Sequence, residues 1–312
     1  MAASCSSGRA AEAPPADTVS RRRRIALATG ARYPKLPPDE RLVLPALGLL
    51  GVSAKPAVWD EAGVEWGAFD AVLIRSCWDY HLKAEAFLSW LDHLEQLGVP
   101  VLNPPGLLRW NADKRYLLDL AARGVPIVPT HVLPRGAPDA GEALLRTLDQ
   151  LGADDAVVKP AVSASAHGTW RTSRAATADD GARLAALLAQ GAVLVQPFVS
   201  AVAQTGEWSV ICFGGAPSHA VLKRPAPGDW RVQGELGGTA EPRPAPAPLL
   251  SQAARVLEAA GAEASVYARV DGCVLDDRFV LMELELIEPQ LYLDLEPAAP
   301  GRFARAIVEA LD

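Results

Sequence analysis

Short apolar runs alternate with helical periods in the first hundred residues. The apolar runs predict strands over residues 25–28, 57–59, 71–75 and 99–102. Helical periods predict helices over residues 40–50 and 84–97, the second with apolar side chains at Phe87, Trp90, Leu91 and Leu94. Alternation of this kind, with strands that are apolar on both faces, is typical of a parallel sheet. We therefore predict a small α/β domain over residues 24–105.

A second region follows the boundary marked by Asn103-Pro104-Pro105. Its patterns predict helices over residues 112–123, 140–151, 249–260 and 303–311. They predict strands over residues 127–131, 156–159, 193–198, 207–213, 218–224, 267–271 and 281–285. Gly214-Gly215 predicts an antiparallel hairpin, and residues 242–248, rich in Pro and Ala, predict a connector. The predicted fold class is α/β, with an α+β C-terminal domain over 106–312 whose two lobes cover about 113–195 and 196–312.

Composition narrows the partners that this chain can have. Its 312 residues are 50% hydrophobic, and no apolar stretch reaches the length of a membrane span. A net charge of −7 argues against a nucleic-acid surface. Scattered cysteines without metal spacing (Cys5, Cys77, Cys212 and Cys273) predict reduced thiols in a cytoplasmic protein. Residues 1–23, rich in Ala, Ser and Pro, predict a disordered tail.

Three carboxylates near the C-terminus carry the clearest chemical signal. Glu283 and Glu285 stand two positions apart on one predicted strand, so they share a face. Asp271 ends the preceding strand and can join them. All-oxygen ligands suit Mg²⁺, which usually bridges nucleotide phosphates. The alternative interpretation is a solvent-facing acidic stripe on an amphipathic strand.

Lysines and small residues supply candidate phosphate contacts. Lys159 ends an apolar strand, and the loop 161–168 that follows is built from small residues whose backbone N–H groups can approach an anion. The loop also holds His167, a candidate phosphate donor. Neither GxxxxGK[ST] nor GxGxxG occurs, so a P-loop and a Rossmann site are unsupported. A plain surface turn, and an ordinary solvent-facing Lys114, are the alternatives.

Further polar residues lie at strand ends and in one loop. Gln196-Pro197-Phe198-Val199 ends a buried strand whose backbone could pair with an adenine edge, and Glu207 could accept from ribose hydroxyls. Arg224 and Arg231 flank a loop, and Arg269 shares a face with Asp271. These arginines could hold a carboxylate or a phosphoryl group, or form plain ion pairs.

Taken in order, these motifs resemble the ATP-grasp superfamily. The resemblance rests on Asn111-Ala-Asp-Lys114, Val157-Val-Lys-Pro160, Val195-Gln-Pro-Phe-Val199, Gly206-Glu207, Asp229-Trp-Arg231, Arg269-Val-Asp271 and Met282-Glu-Leu-Glu285. It covers residues 105–300, about two-thirds of the chain. The expected roles follow by position. Nucleotide contacts are implied for Lys114, Lys159, Ser163, Ser165, His167, Gly168, Gln196, Phe198, Val199, Glu207 and Arg224. Metal ligation is implied for Asp271, Glu283 and Glu285, and stabilisation of an acyl phosphate for Arg269 and Arg231.

Some positions depart from the family pattern. The phosphate loop has one glycine, Gly168, where many relatives have several. Glu285 stands where asparagine is commoner, and Glu288-Pro289 follows where many ligases have a small turn.

A finer resemblance links the chain to a glutathione-synthetase-like branch that includes an O-ureido-D-serine cyclo-ligase of cycloserine biosynthesis. It rests on Leu73-Ile-Arg-Ser-Cys-Trp-Asp-Tyr80, Asn103-Pro-Pro105, Arg109-Trp-Asn-Ala-Asp-Lys-Arg115 and Glu283-Leu-Glu-Leu-Ile-Glu-Pro289. It makes Arg75 and Asp79 candidates for gripping a zwitterionic amino acid at the carboxyl end of a parallel strand.

The resemblance predicts an ATP-dependent carboxylate–amine ligase. The expected cofactors are ATP and Mg²⁺, with Mn²⁺ as the alternative metal. A small amino-acid-like substrate is expected to be activated as an acyl phosphate and then cyclised. The alternatives are a linear peptide or D-alanine–D-alanine-type ligase and a nucleotide-binding module without catalysis. Relatives are commonly dimers or tetramers, so a homo-oligomer without nucleic-acid or membrane partners is expected.

Overall fold

The computed structural model describes residues 22–312. Most of the predicted tail lies outside the described residues. Arg22 and Arg23 are already tied to the folded chain: Arg22 donates to the Gly48 carbonyl at 2.9 Å, and Arg23 pairs with Asp312 at 2.9 Å. Arg22 and Arg23, the last two residues of the predicted tail, therefore contact the folded chain.

A four-stranded parallel sheet forms the N-terminal part. Its strands are β1 (Arg24–Thr29), β2 (Ser53–Val58), β3 (Ala71–Ile74) and β4 (Val101–Leu102), in the order β2-β1-β3-β4. Helices α1 (Val43–Leu49) and α2 (Ala84–Gln96) connect them. The apolar stripe of α2 is buried, with Phe87 packed edge-on against Trp59 at 5.5 Å. Burying each such side chain contributes roughly 1.5–3 kcal/mol, which fixes the helix to the sheet.

Two short helices lie here: the first was not predicted, and the second is the helix predicted over 112–123, starting four residues later than predicted. They are α3 (Pro105–Asn111) and α4 (Tyr116–Ala122), and the break between them carries Lys114. The Lys114 N–H donates to the Ala161 carbonyl at 2.8 Å, so a distant loop holds the backbone of the break. Periodicity cannot reveal such a long-range contact.

A four-stranded antiparallel sheet comes next. Its strands are β5 (His131–Leu133), β6 (Asp155–Pro160), β7 (Trp170–Ser173) and β8 (Val193–Pro197), in the order β5-β8-β6-β7. Helices α5 (Ala140–Leu151) and α6 (Thr177–Gln190) pack together beside it, and α7 (Ala201–Thr205) follows β8. The prediction missed β7 and α6. The strand predicted over 127–131 was wrong, because Ile127 instead bridges Leu281 and β5 starts at His131.

The last sheet has five antiparallel strands. They are β9 (Glu207–Phe213), β10 (Ala216–Arg224), β11 (Thr239–Pro242), β12 (Tyr267–Leu275) and β13 (Arg278–Glu285), in the order β11-β10-β9-β12-β13. Gly214-Gly215 makes the predicted hairpin turn, with positive φ angles of 56° and 74°. Helices α8 (Ala247–Ala260) and α9 (Ala299–Glu309) flank the sheet. Strand β11 occupies part of the stretch predicted as a connector, and α9 begins four residues earlier than predicted.

Arg75, whose charge is balanced in a buried ion pair, joins the parallel sheet to the C-terminal region. Arg75, at the end of β3, is 0% exposed and pairs with Glu40 at 2.5 Å. Its guanidinium lies over the Tyr267 ring at 4.6 Å and donates to the Pro289 carbonyl at 2.7 Å. Arg75 therefore connects β3 to β12 and to the chain that leaves β13.

Within residues 22–312, no helix is long and apolar enough to cross a membrane.

We expect Glu40→Ala to lower the free energy of unfolding by about 3–5 kcal/mol, because it leaves the Arg75 charge buried without a partner. Urea denaturation measures this loss. Asp92→Ala is the control: Asp92 pairs with Arg109 at 2.5 Å on the surface, where such a pair contributes about 0–1 kcal/mol. Equal losses in the two variants would contradict a structural role for the buried pair.

Candidate active site

A cavity of about 490 Å³ lies between the three sheets. The parallel-sheet region contributes Tyr33 and Trp78, and the four-stranded sheet contributes Lys159 and Gln196. The five-stranded sheet and the segment after it supply most of the charged lining: Glu207, Lys223, Arg269, Asp271, Glu283, Glu285 and Glu288. Charges of both signs in one concave site are typical of a site for a charged ligand.

The register of β12 and β13 brings the three predicted metal ligands to one wall. Asp271 lies opposite Glu283, and Arg269 lies opposite Glu285. The register shifts directly after Asp271, where Gly272 faces Leu281. A Cβ atom at Gly272 would lie 2.4 Å from the Val280 carbonyl oxygen, so this bulge needs glycine.

Each of these carboxylates is turned toward a basic side chain. Glu283 pairs with Lys114 at 2.5 Å, and Glu285 pairs with Arg269. Asp271 contacts Arg269 at 2.9 Å and Lys223 at 3.2 Å. Burial opposes ionisation of Asp271, but Arg269 and Lys223 outweigh it and lower its pKa to about 2. Burial raises the pKa of Glu285 to about 7 although Arg269 counteracts it. The wall is therefore a network of ion pairs in which Asp271, Glu283 and Glu285 are each paired with a basic side chain.

The carboxylates fit Mg²⁺ by chemistry but do not surround one point. Among residues 22–312, no three His, Cys, Asp or Glu side chains are close enough together to hold a metal ion. The ion pairs explain this arrangement, because Glu283 and Glu285 reach in different directions, to Lys114 and to Arg269. Carboxylate oxygens on a shared face remain a suitable donor set for Mg²⁺. The assignment of Asp271, Glu283 and Glu285 as metal ligands stays a prediction.

Lys159 and the loop after it form another part of the cavity wall. Lys159 makes no ion pair with any residue in the 22–312 range, and burial lowers its pKa to about 8. Ser163 and Ser165 line the cavity, and the Ser163 hydroxyl donates to the Pro160 carbonyl at 3.1 Å. A lysine that makes no ion pair, beside a loop of small residues, suits a phosphate group.

Gln196, Phe198 and Val199 line the cavity as expected for a nucleobase site. The Gln196 amide donates to the Thr130 hydroxyl at 2.9 Å, and Trp230 meets Phe198 edge-on at 6.1 Å. This end of the cavity offers apolar and aromatic faces near polar groups, which suits a planar base.

Five predicted residues do not line the cavity. Arg75 is enclosed with Glu40, so it cannot grip a free amino acid directly. Asp79 accepts from the Trp59 indole at 3.0 Å and pairs with Lys83 at 3.0 Å. The remaining three, which also lie outside the cavity lining, are His167, Gly168 and Arg224.

Lys223 lines the cavity, whereas the sequence had predicted its neighbour Arg224. It lies opposite Glu207 in the β9–β10 register and pairs with it at 2.6 Å. Neighbouring residues of a strand point to opposite faces, so Lys223 reaches the cavity and Arg224 does not. The alternation around Glu207 was the signal available in the sequence. Glu288 and Tyr292 were also not predicted as site residues, and both line the cavity.

Comparisons with known proteins agree on the kind of molecule. Residues 25–103 match the family described as the N-terminal domain of the D-cycloserine synthetase DcsG. The chain is 32% identical over 301 residues to the cycloserine biosynthesis protein DcsG of Streptomyces lavendulae. That match covers 92% of this chain and 98% of the relative.

Solved structures extend the likeness to the whole fold. The crystal structure of D-cycloserine synthetase DcsG superposes with a TM-score of 0.85 at 32% identity, over 93% of this chain and all of that one. D-alanine–D-alanine ligase of Bacillus anthracis has a TM-score of 0.67 at 17% identity, covering 93% of this chain and 97% of the ligase. An ATP-grasp RimK domain protein from Sphaerobacter thermophilus also gives 0.67, at 20% identity, covering 91% and 99%. The last two likenesses establish a shared fold.

We expect ATP to bind less tightly as the pH rises above about 8. The lowered pKa of Lys159 means that it loses its charge there, and phosphate oxygens bind the protonated form better. The contribution of Lys159 to the affinity should be constant below this pKa and fall by up to about tenfold per pH unit above it. Calorimetry with a non-hydrolysable ATP analogue measures the profile. Lys159→Arg stays charged and should flatten it; identical profiles would contradict the role of Lys159.

Proposed function

This chain belongs to the DcsG family of ATP-grasp ligases, and from that premise we propose that it cyclises a small amino acid by activating its carboxylate with ATP. The proposed substrate is O-ureido-D-serine or a close relative of it. The carboxylate oxygen attacks the γ-phosphorus of ATP, and ADP leaves. The nitrogen bonded to the side-chain oxygen then attacks the acyl carbon and loses its proton, and phosphate leaves as the ring closes with the carbamoyl group still on that nitrogen.

The observation that carries this proposal is the ion-pair network on the cavity wall. Lys114 and Lys223 form ion pairs with carboxylates, and Lys159 makes no ion pair with any described residue. ATP phosphates offer Lys114 and Lys159 stronger partners, so ATP would draw Lys114 away from Glu283. Asp271, Glu283 and Glu285 would then hold Mg²⁺ or Mn²⁺, whose charge would neutralise phosphate oxygens. Binding of nucleotide and metal would thus support each other.

Arg269 is the proposed stabiliser of the acyl phosphate. Its side chain is largely buried, and Asp271 and Glu285 raise its pKa against the effect of burial, so it stays charged through the working pH range. A fixed guanidinium beside a developing oxyanion stabilises it with little reorganisation. Arg231 lines the same cavity and is held by Asp229 at 2.9 Å, which makes it a second candidate for this role.

The competing functions differ in what they require. A linear peptide or D-alanine–D-alanine-type ligase needs a separate amine substrate. A nucleotide-binding module without catalysis needs no carboxylic acid and releases no ADP. The convergence of Arg269 with three carboxylates supports catalysis, because nucleotide binding alone does not require an arginine at the position proposed for the acyl group.

The test is ADP release from ATP, Mg²⁺ and O-ureido-D-serine, followed together with the mass of the product. We expect ADP release to depend on the carboxylic acid alone and to match the cyclic product in amount. Dependence on a second amino acid would replace cyclisation by linear ligation. Absence of ADP release with any carboxylic acid would remove the ligase activity.

Glu283→Gln should lower kcat by about 100-fold or more, since it removes charge from the proposed metal site. Its far-UV circular dichroism should stay that of the folded protein. Glu241→Gln is the matched control, because Glu241 lies exposed on β11 and pairs with Arg243 at 3.4 Å. Near-normal turnover by Glu283→Gln would contradict the metal-site assignment.

A further inference from the structure

Residues 286–291 follow β13, and side chains from distant parts of the chain donate hydrogen bonds to their backbone. Each of their six backbone carbonyls accepts a hydrogen bond from a side chain, at 2.7–3.1 Å. In chain order the donors are Asn103, Tyr267, Trp78, Arg75, Arg269 and His219. An irregular segment fixed at every carbonyl presents its side chains in a fixed direction.

Glu288 is the acidic side chain that this segment presents to the cavity. It is 8% exposed and lines the cavity wall. The carboxylates on β9, β12 and β13 that line the same cavity each pair with a lysine or an arginine. Glu288 differs from them, because its carboxylate has neither an ion pair nor a hydrogen bond to any residue in the described chain. Lys114, the cation that lowers the pKa of Glu288 most, forms its ion pair with Glu283 at 2.5 Å.

A buried carboxylate without a partner in this position destabilises the ligand-free protein. Burial, and then the neighbouring Glu285, raise the pKa of Glu288 to about 8, as expected for an acid that has lost water without gaining a cation. Because its carbonyls are hydrogen-bonded, the backbone of the segment cannot readily carry the side chain away from the cavity. The missing positive charge is therefore one that a ligand can bring.

The nucleotide is the wrong ligand for this charge. Its phosphates are anionic and would be repelled by Glu288, and its base belongs at the Gln196 and Phe198 end of the cavity. An amino acid carries an ammonium group next to its carboxylate. Arg269, the proposed partner of the reacting carboxylate, donates to the Gln290 carbonyl at 3.1 Å, two residues from Glu288. One segment thus links groups suited to both ends of an α-amino acid.

We propose that Glu288 binds the α-ammonium group of the substrate, with Trp78 and Arg75 as positioning residues that fix its backbone. This inference rests on the proposed function, because it assumes an amino-acid substrate. It assigns the binding of the amine to Glu288 in the segment 286–291 instead of to Asp79, which contacts Trp59 and Lys83. Arg75 then acts on the substrate through the Pro289 carbonyl rather than by direct contact.

The test is Glu288→Gln, assayed by ADP release with O-ureido-D-serine. We expect its KM for the amino acid to rise about 10- to 100-fold, since a charge-assisted hydrogen bond is lost. The KM for ATP and the Mg²⁺ dependence should change less than about twofold. The ligand-free variant should melt at a higher temperature than the wild type, because it no longer buries an unpaired acid. Glu296→Gln, on a partly exposed carboxylate outside the cavity, should match the wild type.

Binding of D-serine and of D-glycerate, which has a hydroxyl in place of the ammonium group, isolates the charge. Calorimetry should show that the wild type prefers D-serine and that Glu288→Gln loses the preference. Equal preferences in the two proteins, or no D-serine binding by the wild type, would overturn the inference. So would a variant that changes only the Mg²⁺ dependence, which would make Glu288 a metal ligand. A wild type that binds D-serine but never releases ADP would refute the proposed function and leave the ammonium site standing.

Discussion

The pairing of β12 with β13 is the constraint on which the rest of the site depends. It sets Asp271 opposite Glu283 and Arg269 opposite Glu285, so that acids and a base alternate across two neighbouring strands. A slip of one residue would turn the acids away from the cavity. The bulge at Gly272 makes this register specific, since a larger residue would collide with the Val280 carbonyl. Backbone geometry therefore decides where the charges lie before any ligand arrives.

Because this geometry brings the carboxylates close together, neighbouring acids share the same basic side chains. A wall of carboxylates is tolerated because Lys223 and Arg269 each pair with two acids and Lys114 pairs with Glu283. Under the proposed function, these cations would leave the acids to contact the phosphates and the reacting carboxylate. Glu288 differs from these acids because it has no ion pair among the described residues, and the substrate ammonium group is its proposed partner. Under the proposed function, the charges of the ligand-free site would be complementary to a nucleotide and an amino acid together.

Much of this arrangement could be read from the sequence, and the failures have physical causes. Helix α5, the Gly214-Gly215 hairpin and the paired acidic strands were predicted, because local periodicity and turn chemistry determine them. The break at Lys114 was not, since a loop nearly fifty residues away holds it. Arg224 was chosen in place of Lys223 because the interpretation ignored strand alternation. Arg75 was taken for a ligand contact because nothing local reveals that Glu40 encloses it, and Glu288 was noted only as a departure from the family pattern.

A crystal structure with Mn²⁺ and a non-hydrolysable ATP analogue tests the central claim most directly. The account predicts an anomalous manganese peak between Asp271, Glu283 and Glu285, with Lys114 moved from Glu283 to a phosphate oxygen. A nucleotide bound with the Lys114–Glu283 pair intact and no manganese on these carboxylates would contradict it.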